Sequence, residues 1–167
     1  ASAHLGEAKA YENEIAEIMR SPFPRVEELQ EALQDGGYVP PGLRGAVWSL
    51  LLSSAVLEDH EVAFFKPSGK ELSEASARAL ARDCDAIMKR HGVELKMTHG
   101  SLTQTRNAMY DLVTLFCHRR KTDYNPVHTQ LLAPLLCLER DSLSRSQASS
   151  CFQALAGGFV PFLSTVS

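Results

Sequence analysis

The chain has 167 residues, 44% of them apolar, and 17 Lys plus Arg against 20 Asp plus Glu give a formal charge of −3. That length and apolar share suit a folded domain with a core and exclude an intrinsically disordered chain. The near-balance of charge removes the pull expected of a nucleic-acid or anionic-membrane binder, and no apolar run approaches the ~18 residues needed to span a bilayer.

In chain order, Tyr11, Ile15, Ile18 and Met19 recur at helical spacing, and Ser21-Pro22-Phe23-Pro24 stops that helix. Residues 1–24 therefore read as an N-terminal helix and linker ahead of a domain over 25–167. Val26, Leu29 and Leu33 predict a short second helix ending at Gly36, and Pro41 is expected to open a third with Leu43, Val47, Leu50, Leu51 and Leu52. The segment Phe65-Lys66-Pro67-Ser68-Gly69 reads as a loop.

Leu80, Cys84, Ile87 and Met88 share one face of a helix predicted to end near His91-Gly92, with a linker containing Gly92 and Gly100 after it. Met109, Leu112, Val113, Phe116 and Cys117 give the clearest amphipathic pattern, interrupted at Asp123 to Pro126. Leu131 to Leu138 is apolar nearly all round despite Pro134 and predicts a buried helix. Ser146 to Leu155 predicts a last helix, broken by Gly157-Gly158 and Pro161. With no period-2 alternation and no repeat of solenoid length, the expected fold class is all-α.

Common sites of chemistry are missing. Cys84, Cys117, Cys137 and Cys151 are widely spaced without a C-x-x-C pair and lie in apolar helical stretches, so they read as structural thiols. Six histidines form neither H-E-x-x-H nor H-x₃-H, and His118 and His128 merely flank one turn, so no metal is expected. No glycine-rich phosphate loop and no G-x-S-x-G occurs, and no cofactor is expected. The chain begins Ala1-Ser2-Ala3 without a charged-then-apolar leader, which reads as no signal peptide, while the overall composition reads as intracellular. The basic run His118-Arg119-Arg120-Lys121 has two readings: a solvated helix end, where cations meet the C-terminal dipole, or a patch for an acidic partner or lipid.

One stretch is more specific. After Pro40-Pro41-Gly42 comes Leu43-Arg44-Gly45, two residues, Trp48 and then Leu50, Leu51 and Leu52. This resembles the opening of TBC domains, the Rab GTPase-activating family; a Pro-capped core helix with one Trp is the plainer alternative. The family next carries Ile-x-x-Asp-x-x-Arg, whose arginine enters the GTPase site, and later Tyr-x-Gln, whose glutamine orients the attacking water. Leu80 to Ala86 and Tyr124-Asn125-Pro126 fall in the matching order: Asp83 and Tyr124 are retained, while Ala86 and Pro126 stand at the two finger positions.

Those departures, with the segment Met109 to Leu138, resemble the branch in which a degenerate TBC domain is joined to a rhodanese-like domain. The resemblance covers roughly Glu27 to the C-terminus and implies the N-terminal part of a multi-helix TBC fold. It implies an adaptor at trans-Golgi or endosomal vesicles, with golgins or similar trafficking proteins as partners and a Rab GTPase as a further one. No catalytic residue is then expected, since neither Ala86 nor Pro126 replaces its finger chemically. The alternatives are an active GTPase-activating protein with displaced groups drawn from Arg78, Arg82, Arg90 and Arg106, and a helical domain unrelated to TBC. On the same resemblance Arg44, Gly45, Trp48, Asp83 and Tyr124 are structural, with Arg44 and Asp83 expected to form a buried ion pair. Arg119, Arg120 and Lys121 are candidate contacts for an acidic segment.

Overall fold

Helix punctuation accounts for most of the architecture of the computed structural model, which describes residues 2–52, 60–94, 99–137 and 143–159. Eight α-helices and one π-helical turn, with no strand, make up the regular structure among the described residues, so the fold is all-α. Helix α1 (Ser2–Arg20) ends where Pro22 and Pro24 deny further helical hydrogen bonds, and α2 (Val26–Gly36) ends at Gly37, whose φ of 73° caps it in the left-handed region. The two pack as a hairpin around Ile15, Leu29 and Ala32.

Helix α3 (Arg44–Leu51) starts three residues later than Pro41 led us to expect. Gly42 has φ 94°, which no right-handed helix accommodates, so Pro41-Gly42-Leu43 forms a turn closed by Leu43 N–H donating to the Pro40 carbonyl at 3.1 Å. A short helix, α4 (His60–Phe64), precedes the expected loop and was not legible as a separate element.

Helix α5 (Glu74–Glu94) begins at Ser73, whose Oγ accepts from Ser76 N–H at 3.2 Å, and it runs past Gly92. Helix α6 (His99–Arg120) already contains Gly100. Gly92 is thus helical rather than part of a linker; a Cβ there would meet Leu102 Cδ2 at 2.6 Å, so its lack of a side chain is what lets α5 and α6 approach. Helix α6 is the central element, packed on α5, α7 and α8, and six consecutive residues from Leu112 to Cys117 are buried. That burial exceeds the one-sided stripe its apolar spacing predicts, because helices cover several of its faces.

Helix α7 (Pro126–Leu136) opens with Pro126 at its first turn and Asn125 as cap. It is not buried all round. Leu132, Ala133 and Leu135 face the core, whereas Pro126, Gln130 and Pro134 are exposed along one edge. Pro134 is tolerated near the C-terminal end, two residues before the helix stops. Leu138 and Pro161 lie outside the described residues. Helix α8 (Arg145–Ala154) starts with a Ser144–Gln147 capping box and passes into the π turn Leu155–Phe159. Trp48 packs against both the α1–α2–α3 cluster and the larger cluster around α6, and so joins them.

Candidate functional site

Two residues 40 positions apart in sequence line the same hollow. Ala86 on α5 and Pro126 at the start of α7 line a single cleft of about 470 Å³. Its floor is Ile87, Thr129 and Ala133, and its rims carry Arg82, Arg90, Gln130 and Pro134. The placement follows from helical periodicity. Arg82 and Arg90 each lie four residues, about one turn, from Ala86, and Gln130 lies one turn from Pro126.

A hydrogen-bond chain fixes the cleft wall. Tyr124 Oη donates to Asp83 Oδ2 at 2.7 Å and lies 3.0 Å from Thr129 Oγ1, and the Thr129 hydroxyl also reaches the Pro126 carbonyl at 2.9 Å. Burial raises the Tyr124 phenol above its ordinary value, and its bond to Asp83 adds to that, so the hydroxyl stays protonated and serves as a donor. Beneath it, His128 Nδ1 accepts from Asn125 N–H at 3.2 Å, so the hydrogen of the neutral ring sits on Nε2. Burial pulls this histidine down to about 4, and the ring packs edge-on to Phe116 and Phe152.

These groups provide anchoring rather than acid–base chemistry. Cys117 Sγ lies 3.7 Å from His128 Nδ1, yet burial pushes the thiol up to about 12 while the imidazole stays neutral. Such a pair is not an activated nucleophile. Burial likewise raises Cys84 to about 12 and Cys137 to about 11, and all four cysteines are free thiols. No cluster of three metal-ligating side chains occurs among the described residues.

Two expected relationships differ. Arg44 and Asp83 do not form a buried ion pair: Arg44 is exposed on α3, while Asp83 on α5 binds Tyr124 and lies 3.9 Å from Arg82. Asp83 Oδ2 accepts the Tyr124 hydroxyl instead, and Arg44 stays in solvent. The basic end of α6 is partly engaged, with Arg119 paired to Glu61 at 2.5 Å and Arg120 over the Phe116 ring at 5.9 Å. Lys121 is exposed, with φ 52°, where α6 unwinds.

Of the four neighbouring arginines, Arg78 pairs with Glu74, and Arg106 pairs with Asp85 at 2.8 Å; only Arg82 and Arg90 line the cleft. Sequence reasoning missed Gln130, although its i+4 spacing from Pro126 on a predicted helix is a signal that could have found it. Gly45 is buried in α3, and Trp48 lines a separate apolar groove of about 330 Å³ between α3, α7 and the π turn. No protein-family model matches the chain, and no curated protein matches it.

Proposed function

We propose that this chain is a catalytically degenerate TBC-type domain that serves as a protein-interaction scaffold in Golgi–endosome vesicle traffic, without GTPase-activating activity. The observation that carries this reading is the meeting of Ala86 and Pro126 in one cleft. Two catalytic side chains acting on one phosphoryl group must converge, and the residues at those two positions do so. Neither has a side-chain donor. An inserted arginine is worth ~10³–10⁵ in GTP hydrolysis, about 4–7 kcal/mol, and an alanine supplies none of it.

The proposed location is cytoplasmic, peripheral to trans-Golgi or endosomal vesicles, with golgin-like trafficking proteins and a Rab GTPase as partners. No helix among the described residues is long and apolar enough to cross a membrane, which is compatible with peripheral attachment through partners. Single-turnover GTP hydrolysis by a panel of purified Rabs, with this chain in large excess and an active TBC domain as control, tests the reading. The expected result is no stimulation; stimulation of any Rab by tens-fold overturns it.

A second reading has its own observation. Arg82, Arg90 and Gln130 line the same cleft, each one turn from a lost finger. Used as displaced fingers they make the chain an active GTPase-activating protein, and Arg82→Ala or Arg90→Ala then abolishes stimulated hydrolysis. Against it, one turn is ~5–6 Å, and displacements near 1 Å already cost catalysis heavily.

A further inference from the structure

Helix α7 presents an exposed edge of Pro126, Gln130 and Pro134, each four residues from the next, with a hollow on either side. Toward α5 lies the cleft with Arg82 and Arg90. Toward α3 lies the groove formed by Trp48, Leu51, Leu52, Leu131, Leu135 and Leu155, apolar except for Gln130. Gln130 and Pro134 line both hollows, so the two are separated by one helix ridge.

We propose that these paired hollows dock a short extended segment of a protein partner, with a bulky apolar side chain in the α3–α7 groove and carboxylates against Arg82 and Arg90. The assignment rests on the scaffold reading and names the chemistry of the scaffold's partner. Charge decides the sign. The cleft is lined by two arginines and one carboxylate, Asp83, which is already committed to Tyr124. Arg82 is 77% exposed, 3.9 Å from Asp83, and Arg90 is exposed. Both guanidiniums can therefore turn to meet bidentate carboxylates at little cost.

Geometry sets the spacing. A helix with its side chains is ~10 Å across, and an extended chain advances ~3.3 Å per residue with alternate side chains on one face, so carboxylates sharing the anchor's face stand two and four residues from it. The basic end of α6 serves an acidic segment less well, because Arg119 is held by Glu61 and Arg120 lies over Phe116. The neighbouring groove adds what charge lacks. An exposed ion pair adds little to binding, whereas burying one leucine side chain adds several times more.

The test titrates the full ¹⁵N-labelled chain with three synthetic peptides in a Gly/Ser background. The first has Leu followed two and four residues later by Glu, the second Lys in place of both Glu, and the third Ala in place of Leu. The expected result is amide shifts confined to α3, α5 and α7 with the Leu/Glu peptide alone. Arg82→Ala with Arg90→Ala weakens binding about tenfold, and Arg82→Glu with Arg90→Glu transfers the preference to the Lys peptide. Both positions are exposed in a helix, so these variants keep the fold, and circular dichroism checks that they do. Equal binding of the Glu and Lys peptides, binding indifferent to the arginine variants, or no shift up to ~1 mM peptide overturns the proposal. The Rab panel reports separately on the scaffold reading: stimulated hydrolysis overturns that reading, whereas a silent panel without peptide binding overturns only the docking site.

Discussion

Tyr124 and Asp83, 41 residues apart, are joined by a 2.7 Å hydrogen bond from the phenol to Oδ2 that ties the loop before α7 to the middle of α5. Asp83 has a side chain 27% exposed, so the bond is charge-assisted and partly shielded from water. Tyr124→Phe removes the donor and leaves the carboxylate short of a partner. The expected cost is about 1–2 kcal/mol by urea denaturation. Asp83→Asn and the double variant complete a cycle whose coupling energy is about 1 kcal/mol. Purely additive losses would show that the bond does not couple the two elements.

His128 gives stability a dependence on pH with a defined sign. Its folded-state value of about 4 lies below the ordinary 6.5, so the unfolded chain binds more protons between those values. Its contribution is complete above about pH 6.5 and is lost as pH falls toward 4, the loss reaching about 2 kcal/mol at pH 5. His128→Gln keeps an acceptor for Asn125 N–H but does not titrate. Denaturation midpoints across pH 4–7 are expected to fall less steeply for this variant than for the parent.

Gly36 is required for its size. A Cβ there would overlap the ring of Tyr11, which packs edge-on to Tyr38 at 5.0 Å and donates to the Tyr38 carbonyl at 2.5 Å. Gly36→Ala is expected to displace that ring and cost about 1–3 kcal/mol. The accompanying sign is faster amide exchange in α1 than in α6.

Glu71 organises its loop by accepting N–H bonds from Ser68, Gly69 and Lys70 at 2.9, 3.0 and 3.1 Å, and the Ser68 hydroxyl at 2.8 Å. The Ser68 N–H leads in holding this carboxyl down at about 2. Since the folded value lies below the ordinary one, the loop loses this support as pH falls through the interval from about 4.5 to 2. Glu71→Gln at pH 7 is expected to speed amide exchange at Ser68, Gly69 and Lys70 while leaving α6 unchanged.

Supplying the two side chains that the proposed alignment lacks tests the functional reading. The variant carrying Ala86→Arg and Pro126→Gln is expected to stimulate hydrolysis by at least one Rab about tenfold or more, with each single substitution giving much less. A double variant silent across the panel would show that the two positions are not finger positions.

The helical class was legible in the residues because apolar spacing and Pro/Gly punctuation are local. Pro22 and Pro24 end α1 and Gly37 caps α2, as their backbone chemistry requires. Errors arose where a local rule had two outcomes. Pro41 opens either a helix or a turn, and the left-handed Gly42 beside it selected the turn. Gly92 reads as a break until Leu102 is packed against it.

The identities of Ala86 and Pro126 are matters of sequence, and so is the absence of a side-chain donor at both positions. Their meeting in one cleft is not, nor is the placing of Arg82 and Arg90 there while Arg106 turns to Asp85. The exchange of an expected Arg44–Asp83 pair for Tyr124–Asp83 belongs with these. Helix faces follow from spacing along one segment, but which faces meet depends on how α5 and α7 pack around α6. Burial of apolar area is non-directional and sets that arrangement for the whole chain at once.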